Sequence, residues 1–127
     1  MSDTQATFLR YLTERVLVFD GAMGTSLHAL ELPLRDYAGL ENCSEILNEA
    51  RPDVVERIHR DFLAVGCEAV ETNSFGANRV VLAEFNLAER THALNVAAAH
   101  IARQACAAFA TPTRPRCGSI AACTRGG

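Results

Sequence analysis

The stretch Val16-Leu17-Val18-Phe19-Asp20-Gly21-Ala22-Met23-Gly24-Thr25 decides the fold class of this chain. A short apolar run, residues 16–19, ends in a carboxylate, and two glycines bracket the turn that follows. Short apolar runs bounded by glycine are typical of strands buried on both faces, as in parallel sheets. In α/β folds ligands bind at the carboxyl ends of such strands, which makes Asp20 a candidate site residue.

The same layout recurs further along the chain. Cys67-Glu68-Ala69-Val70-Glu71 runs directly into Thr72-Asn73-Ser74-Phe75-Gly76-Ala77. Because the carboxyl ends of parallel strands meet at one edge of a sheet, the two polar, glycine-bearing exits predict a single active-site rim.

The remaining pattern alternates helices with strands. Apolar spacing predicts helices at 4–14, 25–32, 52–65, 78–85 and 88–109, with strands at 16–19, 67–71 and 116–121. After the leading helix the order is βαβαβ, and its long crossovers predict parallel strands with right-handed connections. The sequence therefore predicts the α/β class.

Two of these helices carry the clearest signals. In the helix predicted at 52–65, Pro52 suits the first helical position, Asp53 lies near the positive end of the helix dipole, and Gly66 ends the helix. Its predicted apolar stripe is Val54, Val55, Ile58, Phe62 and Val65. The stripe predicted for the second helix is Leu94, Ala97, Ala98, Ile101, Ala105 and Ala108.

Composition restricts the classes of partner. The chain has 127 residues, a net charge of −3 and no Lys/Arg cluster, which argues against a nucleic-acid partner. No apolar run approaches the roughly 18 residues that a membrane span needs, so no membrane partner is expected. The N-terminus has an early acidic residue and no apolar signal core, which predicts a cytoplasmic location.

The cysteines fit that location. There are five, scattered without a Cys-x-x-Cys pair, namely Cys43, Cys67, Cys106, Cys117 and Cys123. An odd, dispersed set predicts free thiols rather than disulfides or a zinc site.

Several short motifs follow one another along most of the chain. They are Phe19-Asp20-Gly21-Ala22-Met23-Gly24-Thr25, Glu41-Asn42-Cys43, Arg51-Pro52-Asp53, Ile58-His59, Gly66, Glu71-Thr72-Asn73-Ser74-Phe75-Gly76, Asn95, Ala97-Ala98, Ile101-Ala102-Arg103 and Gly118-Ser119-Ile120. Singly each is unspecific, but together they make residues 12–120 resemble the homocysteine S-methyltransferase family. Within it the chain looks most like the N-terminal homocysteine-binding domains of cobalamin-dependent methionine synthases. Betaine–homocysteine methyltransferases share the fold and substrate and remain an alternative.

The resemblance implies a (βα)8 TIM barrel of which this chain holds only a part. Such barrels need about 250 residues, whereas residues 1–127 supply about three βα units, so we expect a partial homocysteine-binding domain with an incomplete barrel. The family pattern is lost after residue 120, and 121–127 is interpreted as a non-family tail. We hypothesise a frameshift or a premature truncation at this point.

The resemblance also implies the chemistry of the full-length enzyme. Zinc ionises the thiol of homocysteine, the thiolate takes the methyl group of methylcobalamin to give methionine, and methyltetrahydrofolate recharges the cobalamin. The family's zinc is held by three cysteines from later strands, and none of the five cysteines here aligns with them. We therefore expect no metal ligands, no bound zinc or cobalamin, and no activity in this fragment alone. The implied partners are homocysteine, the rest of the barrel, and the cobalamin and folate domains.

The resemblance implies that this segment binds the amino-acid end of homocysteine, which carries its ammonium and carboxylate groups. Asp20 would pair with the ammonium group, the backbone N–H groups of Gly21 and Ala22 would receive the carboxylate, and the next strand exit, Glu71-Thr72-Asn73, would orient the same group. Each has a structural alternative: Asp20 as a turn cap, Glu71 as an interior ion-pair partner, Asn73 as a support for loop backbone. His59 is interpreted as structural.

Two readings outside enzyme chemistry remain. The chain is alternatively a non-catalytic binding or assembly fragment that completes a barrel with another chain. A flavodoxin-like binding module is disfavoured, because Gly21 and Gly24 do not match the spacing of a phosphate-binding Gly-x-Gly-x-x-Gly.

Overall fold

The computed structural model describes the backbone of residues 3–109 and 118–120 and the side chains of residues 5–109. Its α-helices are α1 (Asp3–Glu14), α2 (Met23–Ala29), α3 (Leu47–Ala50), α4 (Pro52–Ala64), α5 (Arg79–Ala83) and α6 (Thr91–Phe109). Short 3-10 helices cover Leu34–Tyr37, Ser44–Ile46 and Ala88–Arg90, and the strands are β1 (Ala69–Glu71) and β2 (Gly118–Ile120). Within these ranges no helix is both long enough and apolar enough to cross a membrane.

The strands confirm the predicted parallel arrangement. Strand β1 pairs with β2 in parallel, with Ala69 opposite Gly118 and Glu71 opposite Ile120. Strand β1 is shorter than predicted, since it begins at Ala69 rather than at residue 67. Residues 118–120 of the predicted strand 116–121 form β2, and residues 116, 117 and 121 lie outside the described residues. The tail interpretation of 121–127 also falls outside them and stays a prediction.

The prediction of a doubly buried strand at 16–19 is wrong. Only Phe19 forms a bridge, in parallel with Ala69, while Val16 is 86% exposed and Val18 52% exposed. The carbonyl of Val18 accepts the backbone N–H of Glu68 at 2.8 Å, so one edge of the segment faces β1. No strand in the described ranges lies along its other edge, and the apolar side chains there stay uncovered.

Helix α4 confirms its sequence signals at both ends. Pro52 occupies the first turn, and Gly66 just past the end has a φ of 113°, a backbone conformation that glycine adopts readily. Val54, Val55 and Ile58 are buried as predicted, and Phe62 is half-buried. The prediction for Val65 is wrong: α4 ends at Ala64, the chain turns, and Val65 is 82% exposed.

Helix α6 is the central element of the core. Leu94, Ala98, Ile101 and Ala105 are buried as predicted, and Ala97 is half-buried. Ala108 is exposed, contrary to prediction, because the buried face continues through Ala102 and Cys106 to the half-buried Phe109.

Three clusters of buried side chains form the core. The first, between α2, α3, α4 and α6, comprises Leu27, Leu47, Val54, Val55, Ile58 and Ile101. The second, between α4, β1 and α6, comprises Leu63, Val70, Ala102, Ala105 and Cys106. The third comprises Cys43, Ile46, Leu82 and Leu94. Helix α6 contributes to all three, so it joins the strand exits to the rest of the molecule.

Replacing Gly66 by alanine is expected to lower the free energy of unfolding by about 1–3 kcal/mol, because a Cβ is strained at a φ of 113°. The matched control is Gly24→Ala in the first turn of α2, where a new Cβ meets no atom within 4 Å. That change is expected to be neutral or to stabilise by up to about 1 kcal/mol. Urea unfolding followed by circular dichroism compares the two, and equal effects would contradict the assignment of strain to Gly66.

Candidate functional site

The exit of the first apolar segment is fixed on β1. The backbone N–H of Asp20 donates to the carbonyl of Ala69 at 3.1 Å, which carries on the parallel pairing begun at Phe19. Gly21 then passes close to α4, where a Cβ would lie 3.1 Å from Cε1 of Phe62. The backbone N–H groups of Gly21 and Ala22 donate to no described residue.

Asp20 joins the two predicted strand exits. Its Oδ1 accepts the backbone N–H of Glu71 at 2.9 Å, a contact between residues 51 positions apart. The Asp20 side chain is only 4% exposed. The structure therefore brings Asp20 and Glu71 together at one edge of the sheet, and the Asp20 carboxylate there is almost fully buried.

A histidine lies beside this carboxylate. His59 of α4 is fully buried, and its Nδ1 is 3.7 Å from Oδ2 of Asp20. That separation exceeds hydrogen-bonding distance, and among the described residues neither ring nitrogen has a hydrogen-bond partner.

The residues after β1 form a tight turn. The side chain of Glu71 is exposed at the rim, whereas Thr72 and Ser74 are buried. The hydroxyls of Thr72 and Ser74 lie 2.6 Å apart and share a hydrogen bond, and the backbone N–H of Ser74 donates to the carbonyl of Thr72 at 2.8 Å. Glu71 is the acidic side chain that this exit presents outward.

Asn73 lies below the turn in a buried amide pair. Its Nδ2 donates to the carbonyl of Ser44 at 2.9 Å and to Oδ1 of Asn48 at 3.1 Å. The side-chain Nδ2 of Asn48 in turn donates to the backbone carbonyl of Asn73 at 2.8 Å. The Asn73 side chain therefore supports loop backbone, which is one of the two roles that the sequence left open. A ligand-orienting role for Asn73 stays a prediction.

A buried carboxylate holds the far end of the turn. Glu45 is 7% exposed, and its Oε1 accepts the backbone N–H of Gly76 at 2.8 Å. The carboxylate occupies the space that a side chain at position 76 would need, since a Cβ there would lie 2.8 Å from the same oxygen. Two residues later Asn78 caps α5 by accepting the N–H groups of Val80 and Val81.

The three cysteines of the described ranges, Cys43, Cys67 and Cys106, are buried and form no disulfide with one another. Burial raises the pKa of the Cys67 thiol, and the charge of Asp20 acts in the same direction. Burial also raises the pKa of Cys43. Because a thiolate is the form that binds metals or attacks electrophiles, neither thiol is prepared for those roles at neutral pH.

Within the described ranges no group of three His, Cys, Asp or Glu side chains is placed to hold a metal ion. The residues that the structure describes therefore do not fit the zinc that the resemblance implies. Cys117 and Cys123 lie outside those residues.

A groove of about 370 Å³ runs between α2 and α4. Its lining residues are Ser26, Ala29, Leu30, Arg57, Ile58, Asp61, Phe62 and Val65. None of the six predicted site residues lines it, although Gly21 passes close to Phe62, which does.

The structural interpretation of His59 stays a prediction, and its proximity to Asp20 is not visible in the sequence. Sequence reasoning missed two residues that shape this rim, Glu45 and Asn48. Their partners Gly76 and Asn73 lie 31 and 25 positions away, so no local pattern reports these contacts. The available signal was chemical: Glu45 and Asn48 are polar residues on either side of the apolar pair Ile46-Leu47.

Comparison with known proteins finds a family with the same pattern. The sequence model described as homocysteine S-methyltransferase matches residues 17–126. A methionine synthase from Mycobacterium tuberculosis is 48% identical over 108 residues, which make up 85% of this chain and 9% of that protein. A methionine synthase from Mycobacterium leprae is 46% identical over the same coverage. The chain thus spans about a tenth of the length of these curated relatives.

Solved structures show the same fold. The oxidized form of the homocysteine methyltransferase MmuM from Escherichia coli is 27% identical, with a TM-score of 0.71, and the match covers 87% of this chain and 38% of that one. The metallated form of the same enzyme, at 24% identity, gives a TM-score of 0.71 over 88% of this chain.

Proposed function

Because the chain belongs to the homocysteine S-methyltransferase family, we propose that it supplies the part of a homocysteine-binding domain that holds the amino-acid end of homocysteine. The observation that carries the proposal is the hydrogen bond from the Glu71 N–H to Oδ1 of Asp20. It fixes a nearly buried carboxylate beside an exposed one at a single rim. Two carboxylates at a partly desolvated rim favour a cationic group such as an ammonium.

Each predicted residue has a role in this proposal. Asp20 accepts the ammonium of homocysteine through a lone pair that the Glu71 N–H does not use, and Glu71 adds a second negative charge at the rim. The N–H groups of Gly21 and Ala22 receive the carboxylate of the ligand, since no described residue accepts them. Thr72 and Asn73 keep the second exit in place.

In the full-length enzyme, zinc and methylcobalamin held elsewhere would make the thiol of homocysteine and the methyl group reactive, and methionine would be the product. The described residues do not fit zinc. The part assigned to this chain is therefore to bind and orient the substrate, while other parts of the protein hold both cofactors and the folate that recharges cobalamin.

The same proposal assigns residues 1–127 to the first three βα units of a TIM barrel. Its support is the parallel order of Phe19, β1 and β2, together with a match that covers 38% of a solved homocysteine methyltransferase. Val16 and Val18 are two positions apart, so their exposed side chains share one face of the segment, and the remaining barrel would cover that face. The rest of the barrel is thus the partner that this face requires.

Calorimetric titration of the full gene product tests the site. The ligands are homocysteine and 4-mercaptobutyrate, which is the same molecule without the amino group. Asp20→Asn is expected to weaken homocysteine binding about tenfold or more, through loss of the charge that meets the ammonium, and to leave 4-mercaptobutyrate nearly unchanged. Asp61→Asn, an exposed carboxylate on α4, is the matched control and is expected to bind like the wild type.

Two results would overturn the proposal. One is a wild-type protein that does not distinguish homocysteine from 4-mercaptobutyrate. The other is an Asp20→Asn variant that keeps the full preference for the amino compound.

A further inference from the structure

His59 is an unusual residue for the interior of a helix packing face. It is fully buried in α4, yet neither Nδ1 nor Nε2 has a hydrogen-bond partner among the described residues. An unpaired buried donor costs about 1–3 kcal/mol, so native interiors rarely keep one without a reason. A leucine or phenylalanine would fill similar space without that cost.

A carboxylate oxygen of the proposed site lies close to the ring of His59. Oδ2 of Asp20 is 3.7 Å from Nδ1 of His59, less than about 1 Å beyond ordinary hydrogen-bonding distance. The other oxygen of the same carboxylate is already fixed by the Glu71 N–H at 2.9 Å. Because the terminal torsion of aspartate is broad, a small rotation about the fixed oxygen brings Oδ2 within reach of the ring.

We propose that His59 is a positioning residue for Asp20, with its Nδ1–H donating to Oδ2 when an ammonium ligand occupies the rim. This inference rests on the proposed function. The ring and the Glu71 N–H then hold one carboxylate oxygen each, and the remaining lone pairs point at the ligand.

Substitutions at position 59 distinguish a role of Nδ1 from a role of Nε2. An asparagine side chain places its amide near the position of Nδ1, whereas a glutamine side chain places its amide near that of Nε2. His59→Asn therefore keeps a donor aimed at Asp20, and His59→Gln moves the donor away while keeping a similar polar group. His59→Leu removes the donor and keeps apolar volume.

The test is titration of the full gene product with homocysteine and 4-mercaptobutyrate. We expect His59→Asn to bind homocysteine within about threefold of the wild type, and His59→Gln and His59→Leu to lose about tenfold or more. The loss should fall on homocysteine alone, because a purely structural defect would weaken both ligands equally. His100→Leu, an exposed histidine on α6, is the control and should bind both ligands normally.

The outcomes separate the two proposals. If Asp20→Asn loses the preference for homocysteine while His59→Gln and His59→Leu retain it, the positioning role is wrong and the proposed function stands. If Asp20→Asn itself has no effect, the proposed function fails first. Should the leucine variant not fold, the Asn and Gln pair still decides, and equal binding by both overturns the role of Nδ1.

Discussion

Replacing Leu47 by alanine is expected to lower the free energy of unfolding by about 3–5 kcal/mol, the upper part of the range for buried leucines. Leu47 is 0% exposed and belongs to the first core cluster, where α2, α3, α4 and α6 meet. Rigid helices on several sides leave little room for collapse, so the truncation leaves a cavity as well as losing the transfer free energy of the removed atoms.

The measurement is urea unfolding, in which the midpoint concentration should fall while the slope of the unfolding free energy against urea stays unchanged. Leu34→Ala supplies the control, because Leu34 lies in a 3-10 helix and is 52% exposed. Its expected loss is below about 1 kcal/mol. Similar losses for the two leucines would mean that α3 does not pack as the structure describes.

Replacing Asn73 by alanine is expected to cost about 2–4 kcal/mol of stability. The change removes two hydrogen bonds and leaves the carbonyl of Ser44 and Oδ1 of Asn48 buried without that donor. Gln104→Ala, an exposed amide on α6, is the control and should cost less than about 0.5 kcal/mol.

A double-mutant cycle with Asn48→Ala isolates the amide pair. Because Nδ2 of Asn73 donates to Oδ1 of Asn48, each single change removes the same hydrogen bond, so the combined loss should be smaller than the sum of the single losses by about 1 kcal/mol or more. Strict additivity would show that the two amides act independently and would contradict the shared network.

The secondary structure was largely predictable because its causes are local. Pro52 and Gly66 mark α4 through fixed backbone preferences, and the apolar spacing of α6 survives in its buried face. The parallel order of the strands followed from the length of the crossovers. In each case the residues that carry the signal lie within a few turns of the element that they define.

The failures share a different cause. Whether residues 16–19 become a covered strand depends on what lies along their free edge, and the apolar run carries no information about that neighbour. Val65 fails for a related reason, since helical periodicity has no meaning one residue past the end of α4. Similarly, the contacts of Glu45 with Gly76 and of Asn48 with Asn73 join distant parts of the chain.

The candidate site was predictable as a pair of strand exits but not as a network. The sequence singled out Asp20 and Glu71, and the structure places them in contact. It gave no reason to connect His59 with either, because the histidine sits on a helix whose periodicity marks it as part of the packing face. Only the folded structure shows that His59, on this packing face, lies beside the carboxylate of Asp20.

The contact between Asp20 and Glu71 would couple occupancy of the proposed site to the folding equilibrium. It joins residues 51 positions apart across α2, α3 and α4, so the rim exists only while those helices are docked. A ligand bound there has affinity for the native chain and none for the unfolded one. By mass action, once the free ligand concentration exceeds the dissociation constant, each further tenfold increase in that concentration adds about 1.4 kcal/mol to native stability. If the rim binds homocysteine as proposed, the fraction of folded protein rises with the concentration of that ligand.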